Sequence, residues 1–330
     1  MFIVAGAAAV AAAVVVGYGV VSGSSADEPG ALASTTASPT AEAPAPAETE
    51  AEADPGTETE APATEAAPAE AAPAEAGASA VVSALSSTAG SLVAGETVVL
   101  SGTGLSEVTG VRFGDTDASV VSVADDAVEV VVPHAPDYTA GEVAVTALAG
   151  DAVVVSAEPL AYVYETRTDV DRQLEYALAH WDDYNTAEYG DYNPLGGDCM
   201  NFASQTLVAR GWQQTADWYN DGSSATTTWT YVPSFETWIA DNAAALGATR
   251  LELDQRDQVK VGDLVMFDWN GTGTLDHIQV VSEVVHGEDG SVSIRMVGHN
   301  IDSDYRDLDE ALTVDHPGGT AYFWSLPSGS

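Results

Sequence analysis

The stretch GGDCMNFASQTLVARG, residues 196–211, decides how the C-terminal half of this chain is expected to fold. A Gly-Gly-Asp turn comes first, and hydrophobic residues then recur at helical spacing until Gly211. This pattern predicts a helix that has Asp198 at its N-cap position and Cys199 in its first turn.

Cys199 is the single cysteine of the sequence, which excludes an internal disulfide and a cysteine-based zinc site. A small, buried, inert thiol is the common role of a lone cysteine. At a helix N-terminus, however, the partial positive charge lowers the pKa of a thiol, and free N–H groups hold an oxyanion. We therefore predict that Cys199 is a nucleophile that projects into solvent, with the inert thiol as the alternative.

A base for this nucleophile is expected in the hairpin farther along the chain. The sequence DHIQVVS, residues 276–282, predicts a strand from His277 to Val285. The returning strand is predicted to end at His299 and Asn300, which places both beside His277. A third polar group orients the imidazole in catalytic triads, and either residue qualifies, with Asn300 slightly favoured.

Residues near these two positions are assigned supporting or substrate-binding roles, with purely local hydrogen bonding as the alternative. Some lie on the cysteine helix or next to the histidine, and one is an aromatic residue at the end of a buried strand predicted at 264–267. They are Asp198, Asn201, Gln205, Asp276 and Trp269. No metal ligand and no cofactor is expected.

The regions before this domain differ sharply in composition. Residues 1–26 begin with about twenty apolar residues, enough for a signal peptide or a membrane anchor. Residues 27–77 are an Ala/Pro/Glu/Thr tract without basic residues, which predicts a disordered acidic linker. Residues 78–165 alternate in short β segments separated by turns, a pattern typical of a β-sandwich.

Residues 166–330 contain near their start DVDRQLEYALAHWDDY, residues 169–184, which predicts a helix with Asp169 as its N-cap. Strand patterns follow the cysteine helix. The predicted fold is therefore multidomain: an immunoglobulin-like β-sandwich, then an α+β domain with helices packed on an antiparallel sheet.

Two family resemblances support this division. SLVAGETVVLSGTGLSEVTGVRFGDTDA, VEVVVPHAP and LAYVY resemble the IPT/TIG immunoglobulin-like domains, which implies a spacer or adhesion module. GGDCMNFASQTL, KVGDLVMFDW, DHIQVVS and GHNIDSDYRDL together resemble the bacterial "putative amidase domain", in the CHAP- and NlpC-like branch of papain-like enzymes. The second resemblance implies a papain-like cysteine hydrolase with Cys199 and His277 as its catalytic pair.

Charge limits the partners. The chain has 9 basic and 51 acidic residues, a formal net charge of −42 at pH 7. Such a field repels phosphates, which argues against nucleic acid and anionic membranes. We expect a monomer that meets the membrane only through its N-terminal segment.

The expected function is that of an exported cysteine amidase or endopeptidase at the cell surface or wall, acting on peptidoglycan or a peptide. The alternatives are a non-catalytic binding or adhesion protein on a stalk, and a transglutaminase-like acyl transferase that uses the same pair of residues.

Overall fold

Residues 79–329 are described by the computed structural model, and both described domains belong to one compact unit. The segments predicted at residues 1–26 and 27–77 lie outside the described residues. No helix within residues 79–329 is long and apolar enough to cross a membrane.

The first domain consists of two facing β-sheets. One sheet has the strand order β10-β1-β3-β7-β6, and the other has the order β2-β11-β8-β4-β5, with β9 paired to β8. The strands are β1 (Val81–Leu85), β2 (Ala89–Ser91), β3 (Thr97–Thr103), β4 (Gly110–Phe113), β5 (Thr116–Asp117), β6 (Ser119–Val123), β7 (Ala127–Val131), β8 (Gly141–Ala149), β9 (Ala152–Val153), β10 (Val155–Ser156) and β11 (Ala161–Glu165).

Alternation along these strands produces the core of the sandwich. In β3, Val98 and Leu100 are fully buried, and in β11 Tyr162 and Tyr164 take the same inward positions. Side chains of alternate residues point to one face of a strand, so each sheet contributes every second residue to the interior.

The second domain is built on a sheet of antiparallel strands in the order β12-β17-β13-β14-β15-β16. The strands are β12 (Thr249–Glu252), β13 (Leu264–Asp268), β14 (His277–His286), β15 (Val292–Gly298), β16 (Ser303–Asp307) and β17 (Thr320–Ser325). The helices are α1 (Asp169–His180), α2 (Thr186–Tyr189), α3 (Cys199–Ala209), α4 (Thr227–Thr230), α5 (Val232–Leu246) and α6 (Leu308–Glu310).

The two faces of this sheet have separate cores. Met266 and Ile278 belong to the core that includes Phe202 of α3. Val265 and Phe267, which alternate with Met266 along β13, belong to a second core that includes Leu308 of α6. The helix that begins with Cys199 therefore covers one face of the sheet only.

Two predicted boundaries need correction. Thr168, not Asp169, caps α1, because the Thr168 side chain accepts the N–H of Asp171 while the Asp171 carboxylate accepts the N–H of Thr168. Strand β15 ends at Gly298, so His299 and Asn300, which were predicted to end this strand, lie in the following turn.

The two domains are joined at Asp171 of α1, which is fully buried. Its carboxylate accepts the Ser91 hydroxyl at 2.6 Å and the Val93 N–H at 2.9 Å from the sandwich. The same carboxylate accepts the N–H groups of Arg167 and Thr168 at 2.9 and 2.8 Å. Burial by itself raises the pKa of Asp171, but these hydrogen bonds outweigh it and the pKa is lowered.

A second contact joins the sandwich to the strand that begins with His277. Tyr138 of the sandwich is fully buried, and its hydroxyl donates to the Ser282 carbonyl of β14 at 2.6 Å. The sandwich is therefore attached to both a helix and a strand of the second domain.

We expect Asp171→Asn to lower the free energy of unfolding by about 2–4 kcal/mol at pH 7, because its NH₂ group faces N–H donors. The pKa of Asp171 is lower in the folded state, so its contribution is present at neutral pH and is lost as the pH falls through that pKa. The difference in the free energy of unfolding between wild type and variant should therefore disappear below about pH 4. Urea unfolding of both proteins at pH values from about 3 to about 7 measures this difference.

The matched control is Asp169→Asn, since Asp169 is partly exposed and forms an ion pair with Arg172 on the same helix. Its effect should stay within about 0.5 kcal/mol. Equal losses for the two variants would contradict the role given to Asp171.

Candidate active site

Cys199 is the first residue of α3, and it lines a cleft of about 400 Å³. The cleft runs between residues 195–197, 230–233 and 274–276. Only 8% of Cys199 is exposed, so the side chain closes the floor of the cleft and does not project from it.

The electrostatics of the thiol differ from the prediction. Burial raises the pKa of Cys199 to about 11, although the backbone N–H groups of Ile278 and Met200 act in the opposite direction. The sequence predicted a lowered pKa from the position at a helix N-terminus. That prediction is wrong for this structure because the loss of hydration outweighs the hydrogen bonds from these N–H groups.

Asp198 organises the turn before the thiol. It is 1% exposed and occupies the N-cap position of α3, as predicted, but its side chain makes no capping hydrogen bond. One carboxylate oxygen accepts the Tyr192 N–H at 2.9 Å and the Asn201 side-chain amide at 3.0 Å. The other lies 2.7 Å from Nδ1 of His299.

His299 is completely buried, and both of its ring nitrogens are engaged. Nε2 donates to the His180 carbonyl at 2.8 Å, and Nδ1 lies 2.7 Å from the Asp198 carboxylate. The ring is stacked on Tyr184 with centroids 3.6 Å apart. His299 therefore holds Asp198 and does not orient His277, which corrects its predicted place in the triad.

Asn300 supplies the capping hydrogen bonds that the side chain of Asp198 does not make. Its Oδ1 accepts the backbone N–H of Asp198 at 2.6 Å and that of Cys199 at 2.7 Å, and its Nδ2 donates to Asn193. The carboxamide thus lies at the N-terminus of α3 and not at His277. This position is a correction to the predicted third catalytic residue.

His277 opens β14, as predicted, but its ring leaves the sheet on the face opposite α3. It pairs with Phe267 of β13, and its centroid is 5.9 Å from the Phe267 ring and 5.6 Å from the Trp269 ring. The Cys199 sulfur lies near the N–H of the next residue, Ile278. The thiol therefore lies against β14 on the side of α3, while the imidazole leaves β14 on the opposite face. The predicted direct contact between Cys199 and His277 is not made in this structure.

Burial, and then the positive charges of Arg306 and His316, lower the pKa of His277 to about 3. Its Nε2 is buried and has no hydrogen-bond partner among the described residues. At neutral pH the ring is therefore an uncharged base. The sequence analysis did not select Arg306, because nothing in its spacing indicates that β16 brings it to this face.

The predicted supporting residues separate into two groups. Asn201 supports Asp198 and accepts the Trp229 indole N–H at 2.8 Å, while Gln205 accepts the Tyr176 hydroxyl at 2.7 Å, away from the cleft. The other two, Trp269 and Asp276, lie just after β13 and just before β14, and the Asp276 carboxylate, on the cleft wall, accepts the Trp269 backbone N–H at 2.9 Å.

Comparison with known families agrees with the two-domain architecture. A model described as "IPT/TIG domain" matches residues 80–164, and one described as "Putative amidase domain" matches residues 167–324. The two matches follow one another in the order predicted from the sequence. The cleft, Cys199 and His277 all lie within the residues matched by the amidase model.

Similar individual proteins cover only parts of the chain. "Uncharacterized protein YhbB" of Bacillus subtilis (strain 168) is 27% identical over 114 residues, which are 33% of this chain and 35% of that protein. The chain thus matches about a third of that relative's length.

Among solved structures, gamma-CGTase from alkalophilic Bacillus clarkii is 24% identical over 28% of this chain and 13% of its own, with a TM-score of 0.23. The TIG domain of human nuclear factor of activated T-cells, cytoplasmic 4, is 19% identical over 28% of this chain and 95% of its own, with a TM-score of 0.22. TM-scores this low identify neither a fold nor a function.

We expect iodoacetamide to alkylate Cys199 slowly at pH 7 and faster as the pH rises toward 11, because the thiolate is the reactive form. The thiolate fraction of a thiol with this pKa is only about 1 in 10,000 at pH 7. Mass spectrometry of the native protein measures the rate, and the urea-unfolded protein is the control. A native rate at pH 7 equal to that of the unfolded chain would contradict the buried thiol.

Proposed function

We propose that this protein is a papain-like, cysteine-dependent amide hydrolase with Cys199 as nucleophile and His277 as base. The amidase domain supports hydrolysis as the class of activity. One observation carries the assignment of residues: the thiol that begins α3 lines a cleft, and its sulfur lies beside the N–H of the residue that follows His277.

In this proposal the thiol proton passes to the imidazole while the sulfur attacks the carbonyl carbon of the substrate. The C–N bond then breaks as His277 returns the proton to the leaving amine, and water hydrolyses the thioester to free Cys199. The Ile278 N–H stabilises negative charge on the sulfur before attack.

Two features of the resting site fit this sequence of steps. His277 is uncharged at pH 7, so its ring has a free site for a proton, but the pKa lowered by burial makes it a weak base until the ring leaves its buried position. Its ring must turn around the beginning of β14 to meet the sulfur, since it rests against Trp269 on the other face. The proposed reaction therefore includes a movement of the imidazole.

The proposed substrate is a peptide amide, with the stem peptides of peptidoglycan as the first candidate. We place the protein outside the cell, secreted or held by its N-terminal apolar segment. The chain has 51 acidic and 9 basic residues, and this negative charge repels the phosphates of a nucleic-acid substrate.

A non-catalytic binding or adhesion protein is the second candidate. The observation that favours it is the burial of Cys199, which raises the pKa of the thiol to about 11 and suits an inert side chain. The two candidates differ in whether removal of the sulfur changes any bond cleavage.

We expect Cys199→Ala and His277→Gln each to reduce cleavage of purified cell wall or of a peptide library at least about 1,000-fold, because each removes a participant in the proton and acyl transfers. Mass spectrometry of the new termini measures the rate and identifies the bond. Circular dichroism confirms that each variant is folded.

His286→Gln is the matched control, since His286 ends the same strand and is exposed. It should retain wild-type cleavage. Cleavage that persists in Cys199→Ala would leave the binding protein as the better account.

A further inference from the structure

We propose that the side chain of Asn300 holds the site closed by occupying the position that the carbonyl oxygen of a substrate must take. This inference rests on the proposed function and concerns the regulation of that same site. It assigns Asn300 an inhibitory contact in place of the catalytic role suggested by the sequence.

The contact is made at the nucleophile itself. Oδ1 of Asn300 is 2.7 Å from the backbone nitrogen of Cys199 and 2.6 Å from that of Asp198. An attacking thiol at a helix N-terminus stabilises the oxyanion with its own backbone N–H. In the resting structure that N–H is already bonded to a carbonyl oxygen of the protein.

The group in this position is chemically similar to the proposed substrate. A carboxamide has the same planar C=O and N–H arrangement as a peptide bond, with one accepting oxygen and a donating nitrogen. The nitrogen of the Asn300 carboxamide donates to the side chain of Asn193, so both of its ends are bound. A substrate amide must therefore displace a bound amide of the protein.

Backbone conformation shows that the chain accommodates this contact at some cost. Asn300 has a φ of 70°, a left-handed conformation that asparagine tolerates better than most non-glycine residues. Opposite it, Gly197 has a φ of 147°, and a Cβ at that position would lie 3.0 Å from Oδ1 of Asn300. A side chain at position 197 would thus be strained and would press on the carboxamide.

The turn that carries Asn300 is held from its far side. The Asn300 N–H donates to Asp302 at 3.2 Å, and the Tyr184 hydroxyl donates to the same carboxylate oxygen at 2.6 Å. Asn300 itself is exposed. The carboxamide can therefore leave α3 by a rotation of its side chain while the turn stays in place.

A set of substitutions at Asn300 with opposite expected signs tests the inference on the full chain. Asn300→Ala removes the acceptor, so alkylation of Cys199 by iodoacetamide and cleavage of substrate should both become about fivefold faster, the factor expected for the loss of one helix cap. Asn300→Asp places a carboxylate at the helix N-terminus, so both rates should fall by a similar factor.

Ile301→Ala is the matched control, because Ile301 lies in the same turn and is 50% exposed. It should keep wild-type rates. Asn193→Ala is a second test that leaves α3 and Asn300 unchanged: it releases the carboxamide nitrogen and should accelerate alkylation in the same direction as Asn300→Ala.

The outcomes are distinguishable from failure of the proposed function. Faster alkylation in Asn300→Ala with slower alkylation in Asn300→Asp supports the inhibitory contact, even if no substrate is cleaved. Unchanged or slower alkylation in Asn300→Ala overturns it. A wild-type protein that cleaves no amide refutes the hydrolase, while the alkylation rates still decide the role of Asn300.

Discussion

The hydrogen bond between Asp198 and His299 is the constraint on which the candidate site depends. It joins residues 101 positions apart, and both side chains are 1% exposed. A buried carboxylate is costly unless its oxygens are satisfied, and Asp198 meets this condition only when His299, Tyr192 and Asn201 are all in place. The backbone that carries Cys199 is therefore fixed by a polar network as well as by hydrophobic packing.

In this arrangement the resting site is unreactive. The thiol of Cys199 has a raised pKa because it is buried, and the ring of His277 has a lowered pKa because it is buried beside positive charge. Neither group is ionised at neutral pH, so an activated thiolate does not form in the absence of substrate. The carboxamide of Asn300 on the Cys199 N–H belongs to the same closed state.

The sequence predicted the elements of the site better than their contacts. The helix that begins at Cys199 and the strand that begins at His277 follow from local hydrophobic periodicity and turn residues. The face on which His277 lies depends on its register with Phe267, and a shift of one residue in register reverses the face. Likewise, capping of α3 by Asn300 depends on a turn about a hundred residues away, which no local pattern reports.

A double-mutant cycle on Asp198→Asn and His299→Gln is the most direct measurement of this constraint. The free energy of unfolding in urea is measured for wild type, both single variants and the double variant. If the buried pair fixes the start of α3, the double variant should lose less free energy of unfolding than the two single variants together, by about 2 kcal/mol or more. Losses that add to within about 0.5 kcal/mol would show that the residues act independently and would contradict the account.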